Sequence, residues 1–337
     1  MMGALGAAEQ KAGGWLSGAP ARALFALLLV LAIGAVFNAE GAFFKWGTHR
    51  DMLRHISVFG VLACGMTLVI VTAGIDLAAG SMVGLTAVLF ALFTIQLCLP
   101  AWIAIPAVLA AGTGLGCASG WVIARFRVQP FIATLATMVF ARGLAKWVSG
   151  GMKVSTAVKQ PDGTYLYVRE PPVFDVLNGK MLSDNVAVVT LIFFGCVLAC
   201  WIVLSKLRLG RHLYAIGGNE EAARLSGVAV GRAKVTVYGL SGLFSAVAGI
   251  CQAAQEVQGD PEAGVGYELT AIAIVVIGGT SLAGGRGGIG LTLLGAMIIG
   301  YLEKILSLNA VGEAHRLMLT GAIIVGAVLF QKGRGTT

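Results

Sequence analysis

Apolar residues along this 337-residue chain come in long runs broken by short polar intervals. Ile56 to Ile75 contains no acidic, basic or histidine side chain, and Leu77 to Ala124 is uncharged over 48 positions. A helix crossing the hydrocarbon core needs about 20 residues, and a somewhat shorter run serves if its flanks reach the interface. Ten segments qualify: 22–38, 55–74, 80–98, 101–124, 130–149, 185–205, 235–255, 268–284, 287–306 and 316–331. Pro100 and Pro106 fall inside the long uncharged run and mark a turn between two passes, so the run is a helical hairpin. The eighth and ninth segments are short and are divided by GGTSLAGGRGGIG, which leaves their boundaries the least defined. The pattern predicts an all-α, polytopic membrane protein with about ten transmembrane helices, some broken or short.

Composition agrees. Apolar residues make up 57% of the chain and charged residues 12%, with 48 glycines, the profile of a polytopic membrane protein. The 24 Lys and Arg against 16 Asp and Glu report orientation here rather than nucleic-acid binding. Ten passes from a cytoplasmic N-terminus return the C-terminus to the cytoplasm. Loops on the inner side then hold Lys11, Arg22, Arg125, Arg127, Lys206, Arg208, Arg211, Arg224, Arg232, Lys234, Arg286, Lys332 and Arg334, or 13 of the 24 cations. The outer segment 255–268 carries four acids and no cation, whereas 39–54, also outer, dissents with Lys45, Arg50 and Arg54. The expected organisation is a cytoplasmic tail 1–21, one membrane domain 22–331 and a cytoplasmic tail 332–337. The cationic start before Ala23 to Phe37 reads as an uncleaved first span rather than a signal peptide.

Two connections are long. The outer one, 150–184, balances four cations against four acids and reads as a lid, a docking surface or a plain surface loop. The inner one, 206–234, contains a Gly217-Gly218 turn, a capping residue at Asn219, Glu220 and Glu221 in a first helical turn, and a stop at Gly227. Acids suit that end of the helix dipole, so a capped helix of two or three turns is expected there.

The segment AIGGNEEAARLSGVAVGRAKVTVYGLSGLFSAVAGI resembles the cytoplasmic coupling segment of permease subunits from bacterial ABC importers of the ribose, xylose and galactose type. GIDLAAGSMVGLTA at 74–87, QPFIATLATMVFARGLA at 129–145 and GVGYELTAIAIVVIGGTSLAGGRGGIG at 264–290 extend the likeness over about 55–330. The resemblance implies a monosaccharide path across the bacterial inner membrane, formed by this chain and a second permease copy, identical or similar. A cytosolic ATPase would carry ATP and Mg, a periplasmic sugar-binding protein would deliver substrate, and this chain would bind no cofactor. Asn219, Glu220, Glu221, Arg224, Leu225, Ser226 and Gly227 would face the ATPase. Permeases for branched-chain amino acids or nucleosides are the neighbouring alternative. The chain departs from the family pattern at Thr270, where Asp is common, and at Glu303-Lys304, where Asn is common.

A neutral sugar calls for hydroxyl and amide partners, and Thr67, Thr72, Ser81, Thr134, Thr137 and Gln252 are candidates to line the path. Arg142 and Lys146, four residues apart near an outer helix end, read as snorkelling cations, with an ion pair or outer gate as the competing reading for Arg142. Asp76 in GIDLAAGS is expected at the inner end of the second span, reaching interfacial water and either capping the next helix or guarding the inner mouth. No Walker A motif occurs, so ATP hydrolysis by this chain is not expected. Gly285, Gly287 and Gly290 match GxGxxG without the surrounding βαβ unit of a dinucleotide site. Gly112, Gly116 and Gly120 form a close-packing face. The six cysteines lack CxxC spacing and read as small packing residues, and the four histidines lack ligand spacing.

Overall fold

The computed structural model describes residues 18–159, 164–181, 185–312, 314–316, 318–319 and 321–322. Its long helices are α1 (Ala19–Val36), α2 (Trp46–Val71), α3 (Ala79–Ala91, continued by a π-helical turn Leu92–Gln96), α4 (Ala101–Phe126) and α5 (Pro130–Ser149). After a short α6 (Pro172–Asn178) follow α7 (Val188–Ser205), α8 (Arg208–Gly218), α9 (Glu220–Leu225), α10 (Val230–Glu256), α11 (Tyr267–Gly278) and α12 (Ile289–Leu308). Among the described residues eight helices are long and apolar enough to cross a membrane, and α11 is a shorter apolar helix. The expected spans one to seven and nine are these eight, and the expected eighth is α11, which stops at Gly278 rather than 284. The expected tenth, 316–331, lies largely outside the described residues.

Three helices are mostly buried, α3 among them, and α2 and α10 form the central pair. Most of α2 and α10 is buried inside the protein, whereas α1, α4 and α5 keep large apolar side chains such as Phe25, Trp102 and Val139 exposed. Helices that are apolar all round are stable at either place, because lipid and protein interior are alike in polarity. Gln255 of α10 donates to the Arg54 carbonyl of α2 (3.2 Å), while near its start Tyr238 donates to the Ile75 carbonyl just beyond α2 (3.4 Å), so the central pair is antiparallel. Gly112, Gly116 and Gly120 of α4 lie against Gly242, Tyr238 and Val235 of α10, where any Cβ would collide. The small face expected from sequence is therefore a helix contact, held by dispersion at close approach.

The long connection 150–184 is not a featureless loop. Strand β1 (Val154–Ser155) pairs antiparallel with β6 (Gln258–Gly259), β2 (Ala157–Lys159) with β3 (Tyr165–Tyr167), and β4 (Lys180–Met181) with β5 (Val186–Ala187). Phe174 of α6 is fully buried against Phe90 of α3, with ring centroids 5.2 Å apart. Asn178, the last residue of α6, accepts a hydrogen bond from Arg54. The segment is thus a cap docked on the helix ends, at the opposite end of the bundle from α8 and α9.

Candidate functional site

The segment 72–78 between α2 and α3 leaves helical geometry within the protein. Thr72 Oγ1 donates to the Val69 carbonyl (2.7 Å), Ala73 takes a positive φ of 59°, and the Val71 carbonyl accepts from Gly285 N (2.9 Å). The Ile75 carbonyl accepts from Thr134 of α5 and Tyr238 of α10, each at 3.4 Å. Irregular backbone at membrane depth persists only where its polar groups find such partners. Asp76 is 1% exposed; its Oδ2 accepts from Ser241 Oγ (2.6 Å) and its Oδ1 from Ala78 N (3.0 Å).

This corrects two expectations for Asp76. It does not reach interfacial water, because α3 starts inside the bundle between α5 and α10, and parity along the sequence specifies an end but not a depth. Nor is it the N-cap of α3: that residue is Ala78, without a side-chain cap, and the Asp76 bond to Ala78 N closes an Asx turn one step earlier. The carboxylate instead ties the break to the middle of α10 through a charge-assisted hydrogen bond.

At the same end lies the predicted capped helix, shorter than expected. Asn219 Oδ1 accepts from Ala222 N (2.9 Å), Ser226 Oγ donates to the Ala222 carbonyl (2.8 Å), and Gly227 turns the chain away with φ 83°. Glu220 is braced twice, by Arg224 (3.0 Å) and by Lys234 of α10 (2.7 Å). Glu221 and Leu225 point outward, Leu225 being 81% exposed. Helix α8 is not among the elements the sequence predicts, because Gly217-Gly218 reads as a turn. The signal was present: Leu209, Leu213 and Ile216 recur at helical spacing, and Leu213 and Ile216 are buried. Gly217 lies against the Val71 carbonyl and Gly285, so the α8–α9 corner abuts the 72–78 break. A cavity of about 300 Å³ lies beside this contact, lined by Thr72, Gly74, Asn219, Glu220, Lys234 and Tyr238.

At the other end, Arg142 does not snorkel. Its guanidinium donates to the carbonyls of Pro261 and Ala263 (2.8 Å to the latter), holding the 257–266 segment against α5. Among the described residues no turn N–H donates to these two carbonyls, and a forked cation meets both at once. Lys146 pairs with Glu262 (2.6 Å) and Lys153 with Asp260 (2.9 Å). Partial burial pushes the Asp260 carboxyl up, but the Lys153 hydrogen bond, the Glu262 backbone N–H and the nearby cations outweigh it and hold the group below its usual range. Lys153 is raised in turn by its hydrogen bond to Asp260.

The hydroxyls expected to line a path are divided. Thr67 bonds Thr292 across α2 and α12 (2.6 Å), Thr137 bonds Ser119 (2.6 Å), and Ser81 and Thr134 are buried between helices. Thr72 lines the cavity, and Gln252 donates to Glu256 one turn on. Ser241 and Tyr238 give no signal in the sequence, and Lys234 only that of an inner-side cation, since isolated polar residues in an apolar helix carry no partner information. Among the described residues no group of His, Cys, Asp and Glu is placed to hold a metal ion.

The family described as the permease component of branched-chain amino acid transport systems matches residues 50–328. The chain belongs to that family. The permease is 40% identical over 309 residues to the ribose import permease of Escherichia coli K12, covering 91% of this chain and 92% of the relative. It is 37% identical to the L-arabinose transport system permease of the same strain, over 82% of this chain and 80% of the relative. The xylose transport system permease of that strain is 32% identical, with 90% of each covered. No solved structure matches the permease. The multi-pass membrane character and the transporter class expected from the sequence are thereby established.

Proposed function

We propose that this permease imports a monosaccharide across the bacterial inner membrane, as the membrane subunit of an ATP-driven importer, with α8 and α9 on the cytoplasmic side. The observation that carries the reading is the near full-length identity to ribose, arabinose and xylose permeases. The amino-acid wording of the family description keeps a branched-chain amino acid as the alternative cargo. A separate ATPase holding Mg and ATP, a periplasmic binding protein and a second permease copy complete the assembly, and no cofactor resides on this chain.

Coupling is assigned to α9. Glu220 is occupied by Arg224 and Lys234, so it braces the helix, while Glu221 and Leu225 present the outward face to the ATPase. A push on α9 reaches α10 through Lys234, and α10 carries Ser241, the partner of Asp76. The test is uptake by membrane vesicles containing the full importer. The Glu221→Ala/Leu225→Ala pair is expected to lower sugar uptake at least about tenfold, the loss of an exposed apolar anchor and a charge at an interface, with the permease still present in the membrane. Undiminished uptake sinks the coupling assignment. Uptake of leucine but of none of the three sugars by the unaltered protein sinks the cargo assignment.

A further inference from the structure

Glu268 opens α11 and was not singled out by the sequence. A Cβ on Gly80 would collide with the Glu268 carboxylate and the Gly264 carbonyl, so that carboxylate lies directly over the first turn of α3. Its depth follows from neighbours. Arg142 faces Gly84, four residues beyond Gly80 in α3, and Trp147, 80% exposed, lies five residues beyond Arg142 in the parallel α5. At 1.5 Å per residue, the carboxylate sits about 13 Å below an aromatic side chain of the interfacial type.

Glu268 is nonetheless partly exposed, and Leu269 (56%) and Val265 (65%) beside it are open on the same stretch. A carboxylate near mid-membrane cannot stably face lipid; such groups face a partner or water. It is also firmly placed: the neighbouring Tyr267 packs at a tilt against Phe59 of α2 with centroids 4.4 Å apart, and Gly80 leaves the space the carboxylate occupies. The carboxylate has the Gly266 and Glu268 backbone N–H groups and the Arg142 guanidinium near it, and its remaining lone pairs on the exposed side can accept from vicinal hydroxyls, the groups a monosaccharide offers.

We propose that Glu268 contacts the sugar at mid-depth of the translocation path, whose wall at that level is the first turn of α11 together with α5. The inference rests on the reading of the chain as a sugar permease. Its test uses the complete importer in membrane vesicles, with the exposed Cys98 and half-buried Cys117 changed to Ser. In that background Glu268→Cys is expected to react with a membrane-impermeant methanethiosulfonate, and transported sugar is expected to slow the reaction. Glu268→Ala is expected to lower uptake at least about tenfold, the scale of one hydrogen bond to a charged acceptor, and Glu268→Gln, which keeps an acceptor, to lose less. Thermal midpoints of the purified variants accompany these readings. Reaction only with a lipid-soluble maleimide, wild-type uptake by Glu268→Ala, or a lowered midpoint with no protection by sugar would each overturn the proposal. If the permease reading itself is at fault, the unaltered protein takes up none of the sugars, which separates the two failures.

Discussion

Two irregular segments interrupt the bundle, and they are built differently. Each joins a long, buried central helix to a shorter one: 72–78 links α2 to α3, and 257–266 links α10 to α11. Because α2 and α10 are antiparallel, the segments leave from opposite ends, and they meet where Gly80 lies against Gly264 and Glu268. The first is stitched by hydroxyl donors, with Ser241 on Asp76 and Thr134 and Tyr238 on the Ile75 carbonyl. The second is held by cations, by Arg142 on two carbonyls inside the bundle and by Lys146 and Lys153 in ion pairs at its rim. Depth accounts for the choice. A buried carboxylate can be satisfied by neutral donors without desolvating a second charge, whereas at the rim ion pairs form readily and are individually weak. A segment held by weak exposed pairs opens at lower cost than one held by buried bonds. The 257–266 segment is therefore expected to open at lower cost than 72–78.

The strongest challenge to that contrast is at Asp76. Asp76→Ala strands the Ser241 hydroxyl and the Ala78 N–H and is expected to destabilise the folded protein by about 3 kcal/mol, while Asp76→Asn, which still accepts from Ala78, costs about half as much. Thermal unfolding in detergent reads both, and equal midpoints would remove the special status of the 72–78 break. Next is Arg142→Met, which releases two loop carbonyls. It is expected to raise protease cleavage within 257–266 severalfold, equivalent to about 1 kcal/mol of local opening, with little change in the global midpoint. A large global loss would mean the two segments are equally structural.

The smallest effects belong to the exposed pairs. Lys146→Met is expected to shift the same cleavage by less than about 1 kcal/mol. The Lys153–Asp260 tie has a defined pH window. Since Asp260 is held below its ordinary value, its contribution is complete above about pH 4 and is lost as the pH falls through the lowered value. Since Lys153 is raised, its contribution is complete below about pH 10 and is lost as the pH rises through the raised value. Cleavage of 257–266 should be flat between those limits and rise outside them, and a transition near pH 6–7 would point to a different tether.

The spans were legible because lipid demands length and apolarity, which are local properties of a sequence. The capped helix at 219–225 was legible for the same reason, since Asn219, the two acids and Gly227 act within one turn. Asp76 was noticed but misplaced. Its role depends on Ser241, 165 residues away, and a lone serine in an apolar helix gives no sign of its partner. For Arg142 the sequence leaves snorkelling and an ion pair or outer gate both open, because snorkelling and inward bonding leave the same trace in sequence.

By itself the sequence determined that this chain is a polytopic helical protein, roughly where most of its described passes lie, and which family it belongs to. Each follows from composition and short-range pattern. Only the tertiary structure decided how deep the breaks lie, which polar side chains are spent on holding helices together, and that Gly80 makes room for Glu268. In a medium without water every buried polar group must find a partner, and those partners are chosen by packing between segments far apart in the chain.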